Sequence, residues 1–154
     1  MSTIRDYLAQ QGINLPQAAA PVASYVPVVI AGGLAHVSGQ LPFVGGELVK
    51  GKLGAAVTLD QGNEAARACG LMILAQLDAA GITFDQIARV VKLGAFIASA
   101  EGFTDQPKVA NGASDLMVSV FGDNGRHARS AVGVPELPLG AAVEVDAIFA
   151  LADR

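Results

Sequence analysis

The stretch ACGLMILAQL, Ala68–Leu77, is apolar on nearly every side. It sits in the middle of a helical candidate over residues 60–80, with Asp60 as the expected N-cap and Gly81 as the stop. A helix with one buried face carries a polar stripe opposite it. This one has none. It is therefore either sandwiched within its own domain or packed against a neighbouring chain, and the fold turns on what surrounds it.

Upstream, a short polar helix near residues 3–11 leads into the Pro/Ala-rich segment NLPQAAAPVASYVP, 14–27. Two strands then flank Gly32–Gly33, a pair suited to a tight hairpin, and Gly45–Gly46 marks a second turn. Downstream, ARVVKLGAFIAS, 88–99, alternates as a strand. A second helix is expected over 105–121, capped by Thr104 or Asp105 with Pro107 in its first turn. Its apolar stripe is Val109, Ala113, Leu116, Met117, Val120 and Phe121. Strands near 127–134 and 142–150, joined by PELPLG, close the chain. The order ββαβαββ predicts an α+β domain whose helices cover one face of a mostly antiparallel sheet.

No repeat or linker divides the 154 residues, so one domain over 1–154 is expected, with 1–24 as an N-terminal extension carrying a short helix. Hydrophobic residues make up 52% and charged residues only 16%, a composition lean enough in charge to suggest subunit contacts. Charges, Gly or Pro interrupt every apolar run, so no membrane span is expected. The N-terminus lacks a secretory pattern and Cys69 is the single cysteine, which together suit a reducing cytoplasm. Net charge is −4 with no basic run, which argues against nucleic-acid capture. His36 and His127 are the only histidines and belong to no ligand-spaced cluster, so no metal is expected. GGELVKGKLG, 45–54, lacks the ending of a phosphate loop.

Side chains alternate across a strand. Alternation places Ala35 and Val37, then Val91, Leu93, Ala95 and Ile97, on a core face. It adds Ala128, Val132 and Val134, then Val143, Val145, Ala147 and Phe149. Opposite them fall His36, Ser38, Lys92, Gly94, Phe96, His127, Arg129, Ala131, Gly133, Glu144 and Asp146. That mixed face suits either solvent or a partly buried interface with a polar pocket. On pattern alone, Arg129 and Glu144 read first as a structural ion pair.

Three segments carry a resemblance: YVPVVIAGGLAHVSGQLP (25–42), LAQLDAAGITFDQIARVVK (74–92) and RSAVGVPELPLGAAVEVDAIFA (129–150). In this order and spacing they resemble the Rid family of reactive intermediate deaminases, also called YjgF-like or L-PSP proteins. The stretch NGASDLMVSVFGDNGRHARSAVG, 111–133, is similar to a less characterised branch. The resemblance implies a chorismate-mutase-like fold and a homotrimer with a pocket at each subunit interface. It implies hydrolysis of 2-imino (enamine) acids to 2-oxo acids and ammonia, without cofactor or metal. The family's carboxylate-binding arginine falls on Arg129 and its glutamate on Glu144. Its tyrosine falls on Tyr25 and its SGQ serine on Ser38. A cysteine common two residues after the arginine is Ala131 here, and the family's helix asparagine is matched by Ser114 in register or by Asn111 nearby.

Those residue types suit the chemistry. An arginine fork orients a carboxylate through two parallel charge-assisted hydrogen bonds, each worth about 1.5–3 kcal/mol. Glu144 can deprotonate a water or pass a proton to the leaving nitrogen, and a guanidinium nearby would keep it ionised. Ser38 and Tyr25 can hydrogen-bond substrate or water. A carboxylate-binding sensor without catalysis is the alternative. An endoribonuclease, a label some family members carry, would use His127 or His36, but acidic charge and few aromatics disfavour an RNA groove.

Overall fold

The computed structural model describes residues 2–21 and 23–153. Helix α1, Ile4–Gln10, precedes the hairpin of β1, Val28–Ala31, and β2, Leu34–Gln40. The turn between them uses Gly32 and Gly33, both at positive φ, where glycine alone is unstrained. A small hairpin, β3 (Phe43–Val44) and β4 (Glu47–Leu48), leads to α2, Leu59–Ala79. Strand β5 (Ile87–Ala98), helix α3 (Gln106–Phe121), and strands β6 (Ala128–Val134) and β7 (Val143–Leu151) complete the chain. The main sheet runs β1-β2-β7-β5-β6, antiparallel throughout except for the parallel β5–β6 pair. This is the expected α+β architecture.

Helix α2 is capped by Thr58, not Asp60. Thr58 and Gln61 form a reciprocal capping box, while Asp60 lies in the first turn. Met72 to Leu77 are all buried, and the chain covers them itself. The sheet lies on one side and α3 on another. Helix α1 and the extended segment 13–19 close the rest, with Ile4 and Leu8 fully buried. The apolar helix therefore needs no neighbouring chain. The two helices approach closely at Gly112, where a β-carbon would run into the backbone of Asn63 and Arg67. The N-terminal segment is fastened by Arg5, whose guanidinium donates to the carbonyls of Leu15 (2.6 Å) and Pro16 (2.7 Å).

Most of the predicted core face is correct: Ala35, Val37, Leu93, Ala95, Ile97, Val143, Val145, Ala147 and Phe149 are buried. Two assignments are corrected. In β5, the pairing with β7 slips between Val90 and Lys92, so Val90 is fully buried and Val91 only half-buried. In β6, the two faces are exchanged. Leu93 of β5 pairs with Arg129 and Ala95 with Ala131, and in-register neighbours share a face. Arg129 and Ala131 therefore lie on the helix side, while Ala128, Ser130 and Val132 point away from it. The hydrophobicity of Val132 and Val134 suggested the opposite phase. The register imposed by β5 overrides it on this edge strand.

Candidate functional site

The residues singled out for chemistry fall into two separate clusters. The first lies where β2 meets β7. Between Val37 and Gln40 the β2–β7 register slips, and Ser38–Gly39 form the bulge. Bulges re-aim side chains, and this one opens the sheet beside Glu144. The Glu144 carboxylate rests on Gly39: a β-carbon there would overlap it. Ser38 is held by its N–H, which donates to Pro27 O at 2.9 Å. Tyr25, 44% exposed, and Leu139, 61% exposed, stand at the rim. Leu139 occupies the left-handed region at φ 61, unusual for a branched side chain and a marker of local strain.

Together these residues line a cavity of about 490 Å³. Its walls are largely apolar, with Ala19, Pro21, Leu41 and Phe43 facing Ser38 and Glu144. Two buried amides that sequence reading missed close its floor. Gln76 of α2, 4% exposed, donates to Ala19 O (2.7 Å) and to Gln40 Oε1 (3.1 Å). Gln40, 6% exposed, donates to Ser38 O at 3.0 Å. This network ties the N-terminal segment, the bulge and α2 into one wall. The signal was present, since Gln76 is the one polar side chain in the decapeptide 68–77.

Glu144 is half-buried and titrates above the ordinary glutamate value of 4.5, first because burial disfavours its charge and then because Asp146 lies near. The guanidinium expected to keep it ionised is absent from its surroundings. Cys69, fully buried behind this strand, has its thiol pushed well up by burial and then by Glu144, and is an inert core residue.

The second cluster surrounds Arg129 on the helix side of β6. Its Nη1 donates to Asn111 Oδ1 (2.8 Å) and to Ser114 Oγ (3.0 Å), and its Nη2 to Pro107 O at 3.3 Å. Asn111 and Ser114 are three apart on α3 and so share a helix face. The structure thus gives both candidate amide-position residues to the same guanidinium nitrogen. His127 joins them: its Nε2 lies 2.8 Å from Ser114 Oγ and its Nδ1 2.6 Å from Gly125 O.

Arg129 and Glu144 do not form an ion pair. They occupy opposite faces of the sheet, with β5 between β6 and β7. Arg129 has no carboxylate partner among the described residues. No three His, Cys, Asp or Glu side chains among the described residues converge as a metal site. No helix among the described residues is long and apolar enough to cross a membrane.

Comparison with known proteins supplies the relationship. Protein TCP17 of Trypanosoma cruzi is 55% identical over 147 residues, covering 94% of this chain and 91% of that protein. Atu1372 of Agrobacterium tumefaciens, a crystal structure of unknown function, is 43% identical with a TM-score of 0.87, covering 97% of this chain and 94% of that one. RidA of an Antarctic Psychrobacter is 27% identical with a TM-score of 0.59, covering 87% and 94%. A family model matches residues 5–151, and the chain belongs to that family, described as YjgF/chorismate mutase-like, putative endoribonuclease.

Proposed function

We propose that this protein hydrolyses 2-imino (enamine) acids to 2-oxo acids and ammonia, in clefts built between identical subunits of a trimer. The observation that carries the reading is the division of the site. One cluster offers a guanidinium at a sheet edge with hydrogen-bonding capacity to spare. The other offers a half-buried carboxylate in a cavity. Neither is complete alone, and subunits packed edge to cavity would complete both.

In that cleft, Arg129 of one subunit holds the substrate carboxylate. This sets the C=N carbon before Glu144 of the next. Glu144 takes a proton from water as the oxygen attacks the carbon of the protonated imine, forming a neutral carbinolamine. Passing that proton to nitrogen makes it the leaving group, and the C–N bond breaks as the hydroxyl gives its own proton to Glu144, leaving the 2-oxo acid and ammonia. A carboxylate titrating above its ordinary range serves both steps, because it neither gives up nor keeps its proton too strongly. Ser38 and Tyr25 supply hydrogen bonds to water or nitrogen. The apolar walls accept a hydrocarbon side chain on the substrate. No metal or redox step is required.

The test is imine hydrolysis. A 2-imino acid is generated in situ with an amino-acid oxidase and its disappearance followed with wild type, Arg129→Ala and Glu144→Gln. Acceleration by wild type, lost in both variants, supports the reading. Retention in Glu144→Gln of carboxylate binding, with wild type giving no acceleration on any imino acid, would favour a sensor.

A further inference from the structure

The hydrogen bonds behind Arg129 have a direction that can be deduced. Gly125 O only accepts, so His127 Nδ1 carries the ring proton of the neutral imidazole. In the neutral ring His127 Nε2 is then an acceptor and receives the Ser114 hydroxyl proton. With its hydrogen drawn away, Ser114 Oγ presents a lone pair to Arg129 Nη1. The origin of this chain is rigid. Gly125 is buried against the last turns of α3, where a β-carbon would overlap the backbone of Met117 and Val118.

We infer that His127 is a positioning residue for the carboxylate site, acting through Ser114 to fix which edge of the Arg129 guanidinium faces a ligand. This rests on the reading of Arg129 as a carboxylate holder. Asn111 and Ser114 take both Nη1 hydrogens, and Pro107 O takes one of Nη2. With Pro107 O on the Nη2 hydrogen that faces Nη1, what remains is Nε–H and the other Nη2 hydrogen, a parallel pair on one edge that matches the two oxygens of a carboxylate. Were the Ser114 hydrogen turned towards Arg129, two donors would face each other and the guanidinium would rotate out of this setting. His127 prevents that. Glutamine at 127 can keep an acceptor near the Nε2 position, whereas asparagine reaches only the Nδ1 position.

The experiment measures pyruvate binding by calorimetry to wild type, Arg129→Ala, Ser114→Ala, His127→Ala, His127→Asn and His127→Gln. Thermal denaturation of each variant checks folding. Wild type should bind and Arg129→Ala should not. Ser114→Ala, His127→Ala and His127→Asn should bind about tenfold more weakly, the effect of one hydrogen bond of about 1.4 kcal/mol. His127→Gln should recover most of the affinity. In imine turnover His127→Ala and His127→Asn should raise KM by more than they lower kcat, a split that a general loss of structure would not give. Nitrogen-15 spectra of wild type should show the Nδ1–H tautomer. Wild-type binding abolished by Arg129→Ala but untouched by His127→Ala, or an Nε2–H tautomer, overturns the inference and leaves the function standing. Equal failure of wild type and Arg129→Ala to bind sinks the carboxylate reading and the inference with it.

Discussion

Substitution of Gly39 by alanine separates catalysis from stability. The new methyl would occupy the space of the Glu144 carboxylate, touching Oε2, Cδ and Cγ. The three nearest atoms all belong to that one side chain, and Gly39 does not use a left-handed backbone. The strand accepts alanine, and only the end of a flexible side chain must move. Turning that half-buried side chain off its preferred rotamer costs about 0.5–1.5 kcal/mol. Replacing glycine stiffens the unfolded chain and returns about 0.4–1 kcal/mol. The net change is within about 1 kcal/mol, or roughly 4 °C in Tm for a chain of this size. Catalysis has no such compensation, because the displaced carboxylate no longer faces the cavity. Loss of a positioned general base lowers kcat by about 10²–10⁴-fold. Gly39→Ala should therefore melt near wild type and hydrolyse imino acids as poorly as Glu144→Gln. Activity within threefold of wild type would refute the reasoning, since Glu144 would then work from a position other than the one it occupies over Gly39.

Gly112→Ala should behave in the opposite way. Its methyl meets the backbone of α2, which cannot swing aside, so a loss of about 3 kcal/mol, or roughly 6–12 °C in Tm, is expected by thermal denaturation. An unchanged Tm would contradict the close approach of α2 and α3. The pH profile reports Glu144 directly. A base works only when ionised, and Glu144 holds its proton to a higher pH than its ordinary 4.5. Activity should therefore rise with pH along a limb lying above 4.5, a limb absent from Glu144→Gln. Asp146→Asn should move the limb to lower pH, because Asp146 is the second cause of the shift. A limb unmoved by Asp146→Asn would contradict that assignment.

The elements were legible because their signals are local. Glycine pairs marked the hairpins, the 3.6-residue stripe marked α3, and Val143 to Phe149 alternated without a break. The Thr58 cap was legible too, as the Thr-x-x-Gln pattern of a capping box, but Asp60 is the more familiar cap and lies nearer the apolar run. What sequence could not show is set by partners. The phase of β6 follows from pairing with β5 some 35 residues earlier, and its own weak alternation points the other way. That error joined Arg129 to Glu144 on one face, when the structure puts them on two. The bulge at Val91 and the amide pair Gln40–Gln76 likewise depend on strands and helices meeting. His127 was legible only as an acid or base for the endoribonuclease alternative, because only the end of α3 and the turn at Gly125 place it against Ser114.

The central claim is that a working cleft takes Arg129 from one subunit and Glu144 from another. Complementation tests it most directly. Arg129→Ala and Glu144→Gln chains, each inactive alone, are co-expressed with different tags, and the mixed oligomer is isolated and assayed for imine hydrolysis. Random mixing of equal amounts in a cyclic trimer leaves about a quarter of the clefts with both wild-type residues. The account predicts about a quarter of wild-type activity in the unfractionated mixture, about a third in the isolated mixed trimer, and none from either parent. A mixed oligomer as inactive as its parents, beside an active wild type, would contradict it.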